Sequence, residues 1–199
     1  MKKNFCLFII IVFAFLILFP LFTECEEEKT PAQVIETMIK AIKEKNDPMR
    51  NRMYFKLRIM EGKSVDPLLK AYKESSEKEV KEYIIYTLGW IFDERVIPHL
   101  IGFLEEKEAG CRATAARALG NQETEKAVPA LIKTLDDKIP EVRRDAAFAL
   151  GLIADPKSLP HLKKLLNDKN ELVRFFTKEA IENIEWEMKY GKHKGKETD

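Results

Sequence analysis

The feature that most constrains this chain is a repeat of 31 residues, the interval from Gly89 to Gly120 and again from Gly120 to Gly151. Each of these glycines follows a leucine. Prolines keep the same interval, at Pro67, Pro98, Pro129 and Pro160. Pairs of one apolar and one basic residue keep it too, at Met49-Arg50, Val80-Lys81, Cys111-Arg112, Val142-Arg143 and Val173-Arg174. Three independent sets of positions with one period predict an array of similar structural units.

Each unit has the pattern of two helices joined by a short polar turn. The first helix follows the repeat proline, which is tolerated there because the amide it lacks would have no partner in the first turn. The second helix is clearest at 142–153, where small and apolar residues follow a 3.6-residue period. Glycine inside a helix costs about 1 kcal/mol relative to alanine. Its recurrence in three units therefore predicts close packing of neighbouring helices.

The segment EVRRDAAFALGLIADPKSLPHLKKLLND, at 141–168, resembles the short HEAT-like repeat of bacterial scaffold proteins and phycobilin lyases. The resemblance implies an all-α fold, a right-handed α-solenoid of stacked antiparallel helix pairs. The domain would span residues 31–190, with units at 34–58, 65–89, 96–120, 127–151 and 158–182. Residues 171–190 form the predicted C-terminal cap helix with a charged outer face, and residues 191–199 form a polar tail. Ankyrin and tetratricopeptide repeats have periods of about 33 and 34 residues, which excludes them.

The N-terminal residues 1–25 differ in composition from the rest of the chain. Lys2 and Lys3 precede an apolar run at 5–22, which predicts a signal peptide or a membrane anchor helix. Three outcomes stay open: cleavage after Cys25, retention as an anchor, and lipidation of Cys25. A buried core helix is a fourth alternative. Because the lysines stay on the inner side, we expect an exported bacterial protein of the cell envelope, either periplasmic or otherwise extracytoplasmic. It would be secreted, or would contact the membrane through residues 5–22.

Charge and cysteine content narrow the classes of partner. The full chain has a net charge of +1, and without residues 1–25 it would have 32 basic (34 − 2) and 32 acidic (33 − 1) residues. No basic field is present to gather nucleic acid. Cys111 is the only cysteine beyond residue 25, which excludes a disulfide framework there. It replaces a valine of the repeat, and we expect it to be a buried apolar residue.

The basic column of the repeat predicts a ladder of ion pairs. Six residues before each basic residue lies a second column, which is acidic in four of five units: Glu44, Ser75, Glu106, Asp137 and Asp168. Arginine suits such a ladder because its planar guanidinium bonds carboxylates and backbone carbonyls together. We expect the ladder to tie turn to helix within and between units.

The functional surface is predicted on the other face of the second helices, which lines the concave side in such solenoids. Positions spaced by four residues on this face are Asn51, Phe55 and Ile59; Glu82, Tyr86 and Trp90; Ala113, Arg117 and Asn121; Arg144, Phe148 and Leu152; Phe175, Glu179 and Asn183. The set varies between units and is rich in aromatic residues, the types that dominate interface energetics together with arginine. We select Tyr83, Tyr86, Trp90, Arg117 and Phe148 as partner-binding residues. The alternative is that these rings fill a wide groove between helices.

The sequence favours binding over catalysis. His99 and His161 follow repeat prolines at helix starts, His193 lies in the tail, and no His-Glu pair of the kind used by HEAT-like iron hydroxylases occurs. Phosphate-binding loops, zinc-ligand spacing and nucleophile elbows are also missing from the sequence. We predict a non-catalytic, exported HEAT-repeat scaffold without cofactor or metal, which binds a protein or peptide on its concave surface. The alternative is a phycobilin-lyase-like or metal-dependent enzyme of the HEAT-like family.

Overall fold

The structure, a computed structural model, describes residues 29–191, and these contain α-helices and short 3-10 helices but no strand. Five helix pairs follow one another along the chain. The first helices of the pairs are α1 (Pro31–Lys43), α3 (Val65–Glu74), α5 (Val96–Phe103), α7 (Val128–Thr134) and α9 (Leu159–Leu165). The second helices are α2 (Asp47–Ile59), α4 (Lys78–Leu88), α6 (Ala109–Asn121), α8 (Pro140–Ile153) and α10 (Glu171–Tyr190). The predicted all-helical, solenoid-like repeat fold is confirmed.

Local sequence signals set the helix starts. Thr30 and Gln33 form a capping box at the start of α1, in which the side chain of each residue accepts a hydrogen bond from the backbone amide of the other. Asn170 caps α10 by accepting hydrogen bonds from the amides of Leu172 and Val173. The repeat prolines lie inside the first turns and not at the first residue: α5 begins at Val96, two residues before Pro98.

The second helices are held together at the repeat glycines. A methyl group added to Gly120 of α6 would lie 2.8 Å from Cα of Ala149 in α8. Gly151 of α8 stands in the same relation to Ala180 of α10, also at 2.8 Å. Only the absence of a side chain permits this approach, and the predicted packing role of the glycines is confirmed.

The second helices pack on one another more extensively than the first helices do. From α4 onward each second helix packs extensively on the next one, whereas the first helices pack mainly against the second helix of their own pair. We call the face formed by the second helices the inner surface, because closer packing on one side of a stack bends it toward that side. One continuous core runs through all five pairs, as expected when no pair can bury its apolar face alone. Cys111 of α6 lies in that core with no exposed surface, as predicted.

The predicted ion-pair ladder forms at two of its rungs. Arg112 donates to the carboxylate of Asp137 in the next unit at 2.7 and 3.0 Å, and to the backbone carbonyl of Glu106 in its own turn at 2.8 Å. Arg143 repeats this arrangement with Asp168 and the carbonyl of Asp137. Within its own unit each of these arginines therefore binds a backbone carbonyl, and the carboxylate that it binds belongs to the following unit.

The first two units depart from the ladder. In the second unit the residue that would supply a carboxylate to Arg50 is a serine, Ser75. Arg50 pairs instead with Asp47 of its own helix at 2.9 Å. Lys81 lies over the ring of Tyr72, with its ammonium 4.8 Å from the ring centre. The regular ladder therefore begins only at the third unit.

The long C-terminal helix is confirmed, but its outer face is not uniformly charged. Trp186, Met188 and Tyr190 are exposed on α10 among glutamates and lysines. In residues 29–191 no helix combines the length and apolar character needed to cross a membrane. The predicted signal or anchor segment at 1–25 lies outside the described residues, as does the tail beyond Gly191.

Candidate functional site

Three of the five predicted partner-binding residues lie close together: Tyr83 and Tyr86 are in α4, and Trp90 is in the turn that follows it. The rings of Tyr83 and Tyr86 are 5.7 Å apart, and those of Tyr86 and Trp90 are 6.4 Å apart. Tyr54 of α2 joins them, with its ring 5.4 Å from Tyr86 and 5.1 Å from Phe55. We call these five residues the first aromatic cluster. Offset and edge-on arrangements at these separations are favourable aromatic pairings.

The first aromatic cluster is held in place from α2. The guanidinium of Arg50 lies 4.9 Å from the ring centre of Tyr83, a cation–π contact. The Tyr83 hydroxyl donates to Oδ1 of Asn51 at 3.3 Å. Both contacts fix the ring of Tyr83 before any partner arrives, which lowers the entropy lost on binding.

An open groove of about 640 Å³ runs along this cluster between α2, α4 and α6. Its walls are formed by Ile42, Lys45, Asp47, Arg50, Asn51, Glu79, Glu82, Tyr83, Tyr86, Thr114 and Arg117. Tyr86 and Arg117, both among the predicted partner-binding residues, therefore line the same groove. Its volume lies within the range of about 300–1,000 Å³ that is common for ligand sites.

Arg117 is anchored by a buried carboxylate. Its Nη2 donates to Oδ2 of Asp145 in α8 at 2.6 Å, and Nε of Arg144 donates to the other oxygen, Oδ1, at 2.7 Å. The Asp145 side chain is only 5% exposed, whereas that of Arg117 is 49% exposed. Two guanidinium groups thus share one carboxylate, and the cluster carries a net positive charge on the inner surface.

Phe148 belongs to a different group of rings. It lies edge-on to Phe176 of α10 at 5.8 Å, and Phe176 is 5.4 Å from Phe175, again edge-on. We call these three residues the second aromatic cluster. Arg117 of α6 lies between the two clusters along the array, because α6 separates α4 from α8, whereas Arg144 and Asp145 share α8 with Phe148.

Glu82 gives the groove an acidic wall. Its pKa is raised by partial burial and by the nearby charge of Glu79, with a further contribution from Glu108. Glu82 also packs against Gly110, where an added methyl group would collide with its carboxylate. The acidic wall therefore belongs to the α4 side, and the arginines belong to α6 and α8.

Sequence reasoning missed three members of this surface. Asp145 lies in the segment 141–168, but its burial under two arginines is visible only in three dimensions. Tyr54 and Phe176 each precede or follow a residue of the predicted face, so the 3.6-residue period could have indicated them. Phe55 and Phe175 of that face are exposed rings, and neither fills a groove between helices.

No group of three or more metal-binding side chains occurs among residues 29–191. His99 is exposed at the start of α5 and His161 is half-buried in α9, far along the chain from one another and on first helices. The chemistry that this surface supports is aromatic packing and charge-assisted hydrogen bonding.

Comparison with known proteins finds a family match within the repeat. Residues 107–182 match the family of HEAT repeats, which agrees with the resemblance seen in the sequence. A comparison with curated proteins finds no match.

Three of the solved structures that are similar to this chain illustrate its fold. The complex of CpcE and CpcF of phycocyanin lyase from Nostoc sp. PCC7120 has a TM-score of 0.64 and 22% identity, over 73% of this chain and 96% of that chain. Human deoxyhypusine hydroxylase in complex with glycerol has a TM-score of 0.56 and 25% identity, over 64% of this chain and 45% of that one. This chain therefore spans less than half of the human enzyme's length.

The third is a designed armadillo repeat protein in complex with the peptide (KR)4, with a TM-score of 0.52 and 19% identity. The match covers 77% of this chain and 81% of the designed one. At these identities the first and third structures establish a shared fold.

Proposed function

We propose that this HEAT-repeat chain is a non-catalytic scaffold that holds a protein or peptide partner on the inner surface of its second helices. The observation that carries the proposal is the grouping of Tyr83, Tyr86 and Trp90 in one aromatic cluster, with Arg117 in the groove that Tyr83 and Tyr86 line. Tyrosine, tryptophan and arginine are the residue types that supply most of the binding energy in protein interfaces.

The mechanism of binding is capture on a prearranged surface. Tyr83 is already fixed by its contacts with Arg50 and Asn51, and Arg117 is already fixed by Asp145. A partner therefore loses its own conformational freedom on binding while the scaffold loses little. The similar structures of a lyase complex with two subunits and of a designed protein with a bound peptide support a role in assembly or capture.

The experiment is capture of the partner by crosslinking pull-down from cells. Replacing Tyr86, Trp90 and Arg117 together by Ala should abolish capture, while circular dichroism shows unchanged helicity. The matched control replaces Trp186 and Tyr190, which are exposed aromatic residues of α10 outside the two clusters, and should leave capture intact. Unaltered capture by the triple variant would eliminate this site.

The proposal extends to location: the scaffold is exported to a bacterial cell envelope and contacts the membrane through residues 5–22 if they are retained. Its support is the apolar run behind Lys2 and Lys3. Protease added to spheroplasts should degrade the chain without lysis, and protection until lysis would contradict export. The mass of the mature N-terminus then distinguishes cleavage after Cys25, retention and lipidation.

A phycobilin-lyase-like or metal-dependent enzyme remains the second candidate, and its support is the fold shared with a lyase complex. Metal analysis of the purified chain, and its absorbance after incubation with a bilin, separate the two candidates. A scaffold gives neither a stoichiometric metal nor a new bilin absorbance band. Either signal would favour the enzyme.

A further inference from the structure

The inner surface presents two aromatic clusters with a charged centre between them. The first aromatic cluster lies on α2, on α4 and in the turn after α4, and the second lies on α8 and α10. Between them α6 contributes Arg117 and no exposed large apolar side chain. The order along the inner surface is therefore apolar, basic and apolar again.

The centre is basic because one carboxylate serves two arginines. Arg117 uses Nη2 for Asp145, and Arg144 uses Nε for the same carboxylate. Arg117 is half-exposed and lines the groove together with Tyr86. A carboxylate docked there gains charge-assisted hydrogen bonds from a guanidinium that is already oriented.

Acidic residues border the basic centre on both sides. Glu79 and Glu82 line the groove on the α4 side, and Glu179 is exposed on α10 at the position equivalent to Arg117 two units earlier. Like charges in direct opposition are unfavourable across an interface. A partner with several consecutive acidic residues would therefore be repelled at the edges of the basic centre.

We propose that the segment held on this surface carries one Asp or Glu side chain between two large apolar side chains. The carboxylate binds at Arg117, and the apolar side chains bind on the first and second aromatic clusters. This inference rests on the proposed function and adds the chemistry of the partner. Its basis is charge complementarity at Arg117 together with the two clusters that bracket it.

The repeat also sets the spacing of these three side chains. Packed helices lie about 8–10 Å apart, and the glycine–alanine contact between α6 and α8 favours the close end of that range. Two such steps, from α4 to α8, measure roughly 16–20 Å. An extended peptide advances about 3.3 Å per residue, so the two apolar side chains should be five or six residues apart with the carboxylate near the middle.

The experiment selects peptides from a random twelve-residue phage library on the full chain in a mild non-ionic detergent. Selected sequences should carry an acidic residue with apolar residues two or three positions away on each side. One such peptide, and its counterpart with Asn or Gln in place of the acid, are then titrated by fluorescence anisotropy against the wild-type chain and Arg117→Gln.

For the wild-type chain we expect the acid-to-amide change in the peptide to weaken binding about tenfold. For Arg117→Gln the same change should have little effect, because the partner of the acid is gone. The acid-to-amide change is made in the peptide and does not alter the protein. The comparison of the two peptides is therefore valid even if Arg117→Gln lowers the stability of the chain. Phe148→Ser should weaken both peptides equally.

Two results would overturn the inference. Selected peptides that are basic, or that bind the wild-type chain equally with acid or amide, would overturn the carboxylate while leaving the proposed surface standing. If the selected peptides bind a chain with Tyr86→Ala and Trp90→Ala as tightly as they bind the wild-type chain, the proposed binding surface is wrong. Failure to select any peptide would also count against the inference, and the cell-based capture experiment would then decide the proposed function separately.

Discussion

Arg143 and Asp168 form a bidentate ion pair across the boundary between the fourth and fifth units, with donor–acceptor distances of 2.8 and 2.9 Å. Both side chains are mostly buried, and Nη1 of Arg143 also donates to the carbonyl of Asp137 at 2.8 Å. One side chain thus closes the turn of its own unit and joins it to the next. Arg112 and Asp137 repeat the relation one unit earlier.

Asp168→Asn should lower the free energy of unfolding by about 2–3 kcal/mol, because it leaves a mostly buried guanidinium without its carboxylate. The measurement is urea denaturation followed by circular dichroism. The control is Asp136→Asn, at an exposed position beside the ladder, which should change stability little. Equal midpoints for the two variants would show that the pair does not join the units.

Acid should weaken the same contacts. The hydrogen bonds from Arg143 hold the pKa of Asp168 below its ordinary value. Burial opposes ionisation of Asp137, but the bonds from Arg112 and the Ile139 amide outweigh it, and its pKa is lowered as well. Because the folded-state pKa lies below the unfolded one, the stabilisation is complete above about pH 4 and is lost as the pH falls below that.

The pH dependence of unfolding tests this directly. The difference in unfolding free energy between the wild-type chain and Asp168→Asn should be constant near neutral pH and should shrink as the pH falls below about 4. A difference that grows on acidification would contradict the assignment of the lowered pKa to this pair.

Gly120→Ala should destabilise the array. The added methyl group meets Cα of Ala149 at 2.8 Å, and overpacking of this kind costs about 1–3 kcal/mol. The higher helix propensity of alanine offsets about 1 kcal/mol of that cost. Gly102→Ala is the matched control, since an added methyl group there meets nothing within 4 Å. We expect the thermal midpoint to fall for Gly120→Ala and to hold or rise for Gly102→Ala; the reverse order would refute close packing at the glycines.

Cys111 should be unreactive in the folded chain. Burial, with the nearby charges of Glu82 and Glu106, raises the pKa of its thiol to about 11. At pH 8 the thiol is therefore protonated as well as inaccessible. Iodoacetamide followed by peptide mass spectrometry should leave Cys111 unmodified in native buffer and alkylate it in denaturant. Rapid alkylation in native buffer would contradict its place in the core.

The 31-residue period was sufficient to predict the helix pairs, the cap helix and the role of Gly120 and Gly151. A period reports which positions are equivalent, so it also identified the arginine column and the inner face. It does not report which unit supplies a partner. Only the three-dimensional structure shows that Arg112 and Arg143 bind a carboxylate of the next unit. It also shows that Arg50 makes different contacts.

The candidate site was predicted less completely than the fold. Tyr83, Tyr86 and Trp90 lie close together because they follow one another at spacings of three and four residues through α4 and the turn after it. Phe148 was assigned to the same surface but packs with Phe176, since contacts between neighbouring helices depend on side-chain direction. Asp145 escaped notice because a short acidic residue beside two arginines has the same sequence pattern whether it is buried or exposed.

Site-specific photo-crosslinking in cells tests the central claim most directly. A photoreactive amino acid replaces Tyr86 on the inner surface in one strain, Phe148 in a second, and the exposed Lys133 of the first helix α7 in a third. The account predicts adducts of the same mass at positions 86 and 148 and none at position 133. Adducts at 133 without any at 86 would place the partner on the opposite side of the array and contradict the account.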